Sequence, residues 1–382
     1  MPGRLRRRRR GGEGLVREAP ETSALPLLEA ACLEAEVPGA LRLRPDLEAA
    51  GYWQAGLLDQ WRLTAAVLGE HLAEAPDPLV PLRRLAASPD RRVLFHLPGA
   101  AAALFSDRLD LLLPLLRGLA AIPDRGLAEA VAAFGLRPLA ENEGPAILAA
   151  LHDWAEDPSP FVRRAPVEAF RPRGVWVRHL RWAVAEPALL LPLLERYRRE
   201  EHRFPANAVG NCLNDIARDR PRLVLDLVHD WLHPDPAGPL ARHVANRGLR
   251  GLVKRGDPAA LRLLGFGPVE VTVAARLLGG EVVRPNTTLR FELELRNRGP
   301  AASARLVPTI ETTGRIADRP RRRRGSGRTL RLPAADTLRV RCSERVFDTR
   351  AAPLLDGPGR VVFALNGREV AVVPFRVERG SV

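Results

Sequence analysis

Two stretches of the chain concentrate side chains able to do chemistry. The first runs Ala208-Val209-Gly210-Asn211-Cys212-Leu213-Asn214-Asp215-Ile216-Ala217-Arg218 and sets two amides, a carboxylate and a guanidinium close together. The second holds Arg163-Arg164, Glu168, Arg171-Pro172-Arg173 and Trp176. Between residues 160 and 256, seventeen arginines and Lys254 outweigh ten acids, a local charge of +8. A surface of that sign attracts polyanions, and its guanidinium groups would neutralise the phosphates of a duplex. Plainer readings stay open at this point. Asp215 could form a structural ion pair with Arg218 or Arg250, and Trp176 could be a helix cap or a core aromatic.

Other chemistries find no support in the residues. There is no Gly-rich phosphate loop, no Gly-x-Ser-x-Gly elbow and no Cys/His nucleophile pair. His202, His229, His233 and His243 do not share the ligand spacing of one helix, so no metal and no cofactor are expected. Cys32, Cys212 and Cys342 lie far apart, which argues against both a disulfide framework and structural zinc.

The elements that must position these residues change character once along the chain. From about residue 25 to 266 the apolar residues recur at helical spacing, as in Leu57-Leu58-Trp61-Leu63-Val67-Leu68-Leu72. Asp-Pro and Pro-Asp pairs punctuate the runs, and these residues suit helix ends and starts. A repeat is visible: residues 162–170 align with 205–213 and 241–249, each after a segment ending in an aromatic, Trp154, Tyr197 or Trp231. Repeats of roughly 40 residues, each a helix pair, predict a HEAT-like solenoid. Its inner helices would present Asn211, Asn214, Asp215, Arg218, Asn246, Arg247 and Arg250 on an unusually polar face. After residue 268 the period becomes two, as in Leu289-Arg290-Phe291-Glu292-Leu293-Glu294-Leu295, and Asn366-Gly367 marks a tight hairpin turn. The fold class is therefore mainly α, a helical-repeat domain over 24–266, followed by a small immunoglobulin-like β-sandwich over 269–380.

The chain of 382 residues, 46% hydrophobic and 27% charged, is globular and long enough for two domains. The net charge of +14 is polarised: Arg4 with Arg6 to Arg10, and Arg319 with Arg321 to Arg324 and Arg328, contribute twelve positive charges. Residues 1–20 read as a disordered Arg-rich tail, and 319–328 as a flexible loop that grips DNA or is a solvated hairpin tip. No apolar run is long enough for a membrane helix, and the basic N-terminus lacks the apolar core of a signal peptide. A monomer in the cytoplasm, without membrane contact, is expected.

In order and spacing, the Arg163-Arg164, Glu168, Arg171-Pro172-Arg173 and Trp176 stretch, the Leu213-Asn214-Asp215-Ile216 stretch and Lys254-Arg255-Gly256-Asp257-Pro258 resemble the AlkC branch of the HEAT-like DNA alkylation-repair glycosylases. The resemblance covers about residues 125–380, with a weaker match from about 55. It implies duplex DNA with alkylated bases as the partner, bound on the concave face, and hydrolysis of the bond joining a cationic base to deoxyribose. Asp215 would then stabilise positive charge developing on the sugar, and Trp176 would contact the cation through its ring face. Arg163, Arg164, Arg171, Arg173, Arg218 and Arg247 would hold phosphates, with Asn211 and Asn214 beside them, while Glu168 would sit behind the site on an arginine. One departure stands out. In the stretch Ala133-Phe134-Gly135-Leu136-Arg137-Pro138-Leu139, Ala133 occupies the place of a family carboxylate. A catalytically impaired lesion- or DNA-binding protein of the same fold, or a protein-binding scaffold without enzymatic role, are the alternatives.

Overall fold

Asp124 begins the segment that matters most, capping a helix by accepting the Leu127 N–H at 2.7 Å. The structure, a computed structural model, describes residues 23–175, 177–316, 319–349 and 353–379. The expected tail over 1–20 and Trp176 lie outside the described residues.

The chain divides into two compact units, one of residues up to Ile216 with Gly238–Leu240, the other of Ala217–Ala237 with Ala241 onward. In the first unit a row of helices packs neighbour on neighbour: Leu57–Ala73 on Leu97–Phe105, then the run from Arg125–Ala130 through Val131–Leu136 to Arg137–Asn142, then Pro160–Ala169, then Arg203–Ile216. Small residues set the separations. A Cβ on Gly99 would come within 2.6 Å of the Ala65 Cβ, and one on Gly135 within 2.7 Å of Leu116 Cδ2. The middle of the 125–142 run, Val131–Leu136, is a π-helical turn, a local widening that often marks a functional position.

The repeats expected at 162–170, 205–213 and 241–249 are the helices Pro160–Ala169, Arg203–Ile216 and Ala241–Gly248. The aromatics before them, Trp154, Tyr197 and Trp231, are all buried, at 3%, 2% and 2% exposure. Equal burial at equivalent positions is what a repeat predicts. The first two repeats are also joined by the Tyr197 hydroxyl, which donates to the Arg163 carbonyl at 2.7 Å.

The second unit carries the helices Pro221–Leu232, Ala241–Gly248, Arg250–Arg255 and Pro258–Leu263 and then turns to strands. Its strands are β1 (Val271–Leu278), β2 (Val282–Val283), β3 (Thr288–Asn297), β4 (Ala302–Ile316), β5 (Arg319–Arg324), β6 (Arg328–Leu332), β7 (Thr337–Arg345), β8 (Gly357–Leu365) and β9 (Arg368–Val377). One sheet has the order β1-β3-β7, the other β2-β9-β8-β4-β5, with β6 also on β4. All pairings are antiparallel except β2 with β9. Alternate residues of β3, Leu289, Phe291, Leu293 and Leu295, are buried against Val361, Phe363 and Phe375, and the Phe291 and Phe363 rings meet edge to face at 5.2 Å. Asn366 and Gly367, at φ 48° and 83°, make the hairpin turn between β8 and β9.

The arginine segment corrects an expectation. Arg319–Arg324 is not a flexible loop but strand β5, in register with β4 from Thr309↔Arg324 to Thr312↔Arg321. The cause is cross-strand charge. Glu311 on β4 takes Arg322 and, from β8, Arg360, each at 2.7 Å, while Arg323 reaches Glu344 at 3.3 Å and covers the Phe347 ring at 4.6 Å. Only Gly325–Gly327 remains as the connection to β6.

Candidate active site

Asp215 lies in the last turn of the helix Arg203–Ile216, whose Ala206, Val209, Cys212 and Leu213 are buried. That placement draws the carboxylate inward, to 8% exposure, so it requires a cation. Arg171 supplies it, donating from Nε to Asp215 Oδ2 at 2.9 Å, and Arg173 Nη1 donates to the Asp215 carbonyl at 3.3 Å. Asp215 is therefore in an ion pair with Arg171.

The same guanidinium continues the chain of charges. Arg171 Nη1 donates to Glu168 Oε1 at 2.6 Å, and Glu168 Oε2 lies 3.3 Å from Arg164 Nη2. Arg164 Nη2 also donates to Glu129 Oε1, and its guanidinium stacks over the Phe204 ring at 4.6 Å. Three carboxylates, Glu129, Glu168 and Asp215, thus share the guanidiniums of Arg164 and Arg171, with Arg173 against the Asp215 backbone. Burial alone would lower the Arg171 pKa, but Glu168 and Asp215 outweigh it and the guanidinium is held more firmly charged than usual. Burial pushes Glu129 up, only partly opposed by Arg164. Burial, reinforced by Asp215, also raises the Cys212 thiol, which leaves it a packing residue rather than a nucleophile.

Arg137 supports this cluster from below. It is 1% exposed and donates from Nη1 to the carbonyls of Ala169 and Arg171, at 2.7 Å each, and from Nη2 to that of Arg178. The backbone carrying Arg171 and Arg173 is thereby fixed to the start of the helix Arg137–Asn142, next to the π-helical turn. Ala133, Ala132, Glu129 and Glu168 then line a shallow cleft with Gly174, Val175 and Val177, which flank Trp176 in sequence.

Of the residues singled out in sequence, the structure gathers Asp215, Arg164, Arg171 and Arg173, with Glu168 on arginines as expected. Asn211 and Asn214 share the Asp215 helix and are half-buried. Arg163 is engaged elsewhere, with both carboxylate oxygens of Glu200 at 2.9 Å and the Asp157 carbonyl at 2.7 Å. The guanidiniums of Arg163, Arg164 and Arg171, three of the six expected at phosphates, are thus occupied by carboxylates of the fold. Arg218, exposed, and Arg247, half-buried, belong to the second unit. Two contributors were not singled out in sequence. Glu129 stands four residues before Ala133, and Arg137 sits beside a proline; a search for charges one helical turn from Ala133 would have found both. Among the described residues no group of three His, Cys, Asp or Glu side chains is placed to hold a metal ion, and no helix is long and apolar enough to cross a membrane.

The profile of a family described as DNA alkylation repair enzyme matches residues 105–247, which include every member of the cluster. A Bacillus subtilis (strain 168) protein, YhaZ, described as uncharacterized, is 30% identical over 133 residues, 35% of this chain and 36% of its own length. The chain therefore spans about a third of that relative in the match. A solved structure of Pseudomonas fluorescens alkylpurine DNA glycosylase AlkC, bound to DNA containing an abasic site analog, superposes with a TM-score of 0.78 at 20% identity, over 93% of this chain and 97% of that one. The fold of helical repeats followed by β-sheets is thus shared across almost the whole chain, and residues 105–247 are similar to the DNA alkylation repair enzyme family.

Proposed function

We propose that the protein is a DNA alkylation repair glycosylase that binds duplex DNA on the polar face of its helical repeats and hydrolyses the glycosidic bond of cationic alkylated bases. The observation that carries this reading is the buried cluster Glu129–Arg164–Glu168–Arg171–Asp215 inside the family-matched segment. A cationic base needs no acid to leave: the electron pair of the breaking bond to C1′ neutralises it. What the site must supply is negative charge for the sugar cation and a route for water to C1′. Asp215, oriented by Arg171, is the electrostatic catalyst, and Trp176 contacts the lesion through its ring face. Arg173, Arg218 and Arg247 hold phosphates, with Asn211 and Asn214 beside them, and the exposed arginines of β5 add to the same attraction.

Incubation with methylated duplex DNA, followed by chromatography of freed bases, tests the reading. Release by the wild type is expected, and a loss of at least about tenfold in Asp215→Asn with folding intact. Unchanged release by that variant would place the chemistry elsewhere. Ala133 keeps a second reading in play, that of a lesion-binding protein of this fold. No release by the wild type together with release by Ala133→Glu would decide for it.

A further inference from the structure

The three carboxylates of the cluster are not equivalent. The side chains of Glu168 and Asp215 are 12% and 11% exposed, and both are bound to the buried Arg171. Glu129 is 37% exposed, is bound to Arg164 through one oxygen, and lines the cleft together with Ala132, Ala133, Gly174, Val175 and Val177. The cleft, about 10 Å³, has room for a water molecule, which can therefore reach Glu129 without breaking the network behind it. The side chain at position 133 ends at Cβ, so nothing larger than a methyl group competes with Glu129 for that wall of the cleft.

We infer that Glu129 is a second catalytic carboxylate of this site, facing the sugar of the bound lesion and receiving the proton of the attacking water. The inference rests on the glycosylase reading for the reaction it serves. As the bond between C1′ and the base nitrogen breaks, its electron pair leaves with the base and cancels that positive charge. Water bonds to C1′, its proton passes to Glu129 and on to solvent, and an abasic sugar and a free base result. Burial pushes Glu129 above the usual carboxylate range, which makes it a better proton acceptor than an exposed glutamate, with Arg164 holding it in place. A purely structural Glu129 would do no more than balance Arg164.

The experiment compares two duplexes, one with a pyrrolidine abasic-site analogue that is cationic and one with a neutral tetrahydrofuran, for binding to wild type, Glu129→Gln and Glu168→Gln. The wild type should favour the cationic duplex by about tenfold, and Glu129→Gln should lose that preference while binding the neutral duplex unchanged. In parallel, base release by the wild type should fall as pH drops through the raised Glu129 pKa, with that step absent from Glu129→Gln. Retention of both the cation preference and the pH step by Glu129→Gln would overturn the inference, as would a wild type indifferent to the charge of the analogue. If the wild type releases no base yet shows a cation preference that depends on Glu129, the assignment of Glu129 stands and the glycosylase reading falls.

Discussion

The helical unit and the β-sandwich use the same two side chains for opposite purposes. In the cluster around Arg171, guanidiniums and carboxylates are almost wholly withdrawn from water, and each charge is tolerated only because its neighbours are present. On β5 and β8 the arginines stand at the surface, with Arg322 at 65% and Arg360 at 55% exposure, and only the Glu311 of β4 that they share is buried. There the ion pairs choose a register, and solvent weakens them. An Arg-Glu contact therefore says little until its burial is known: inside it constrains chemistry, outside it organises a strand.

The sharpest way to break that contrast is to remove one cation from the interior. Arg171→Ala takes from the buried Glu168 and Asp215 the guanidinium they share, and a loss of about 3–5 kcal/mol in urea unfolding is expected. The triple variant Arg171→Met, Glu168→Gln, Asp215→Asn removes all three charges together and should recover most of that loss. Failure to recover would mean that hydrogen bonds, rather than charge balance, hold the cluster. Arg137→Ala comes next, with a loss of about 3 kcal/mol, since three carbonyls lose a charged donor at once. Hydrogen exchange should quicken over residues 169–178 in that variant; a change confined to residues 131–142 would show that Arg137 does not hold the following loop.

How much of this was legible in the sequence follows the same division. The change of period near residue 268, the repeated aromatics Trp154, Tyr197 and Trp231, and the Asn366-Gly367 turn are local signals, and each corresponds to a local structure. Strand β5 was not legible because Arg-Pro-Arg-Arg-Arg-Arg contains no apolar alternation; its strand character comes from β4, above all from Glu311. The motif residues pointed to Asp215 as the catalyst and to Arg171 as a phosphate ligand, and did not join the two. The bond between them joins residues 44 positions apart, and the role of Glu129 depends on a cleft that only the packing of Arg125–Ala130 with Pro160–Ala169 creates.

Binding measurements sharpen the comparison from the outer side. In β5, Arg322 and Arg324 are exposed and Arg321 and Arg323 half-buried, an alternation that splits the strand into two functional sets. If the exposed set meets phosphates, Arg322→Ser with Arg324→Ser should weaken duplex binding and reduce the slope of log affinity against log salt by about 2, since each lost contact removes about 0.9. An unchanged slope would confine β5 to a structural role.

The smallest effect is expected for Arg322→Ala on stability. Arg322 shares Glu311 with Arg360, so its removal leaves that buried carboxylate with a partner at 2.7 Å and strands no charge. The guanidinium it removes is mostly hydrated already, and the change should stay within about 1 kcal/mol, shrinking further as salt is added. Glu311→Ala is the informative counterpart, because it frees an arginine on each neighbouring strand, Arg322 on β5 and Arg360 on β8. Its cost should exceed that of Arg322→Ala and should appear as faster hydrogen exchange along β5. Equal costs for the two variants would mean that Arg322 acts through its own packing on the sheet, and that Glu311 does not set the register of the strand.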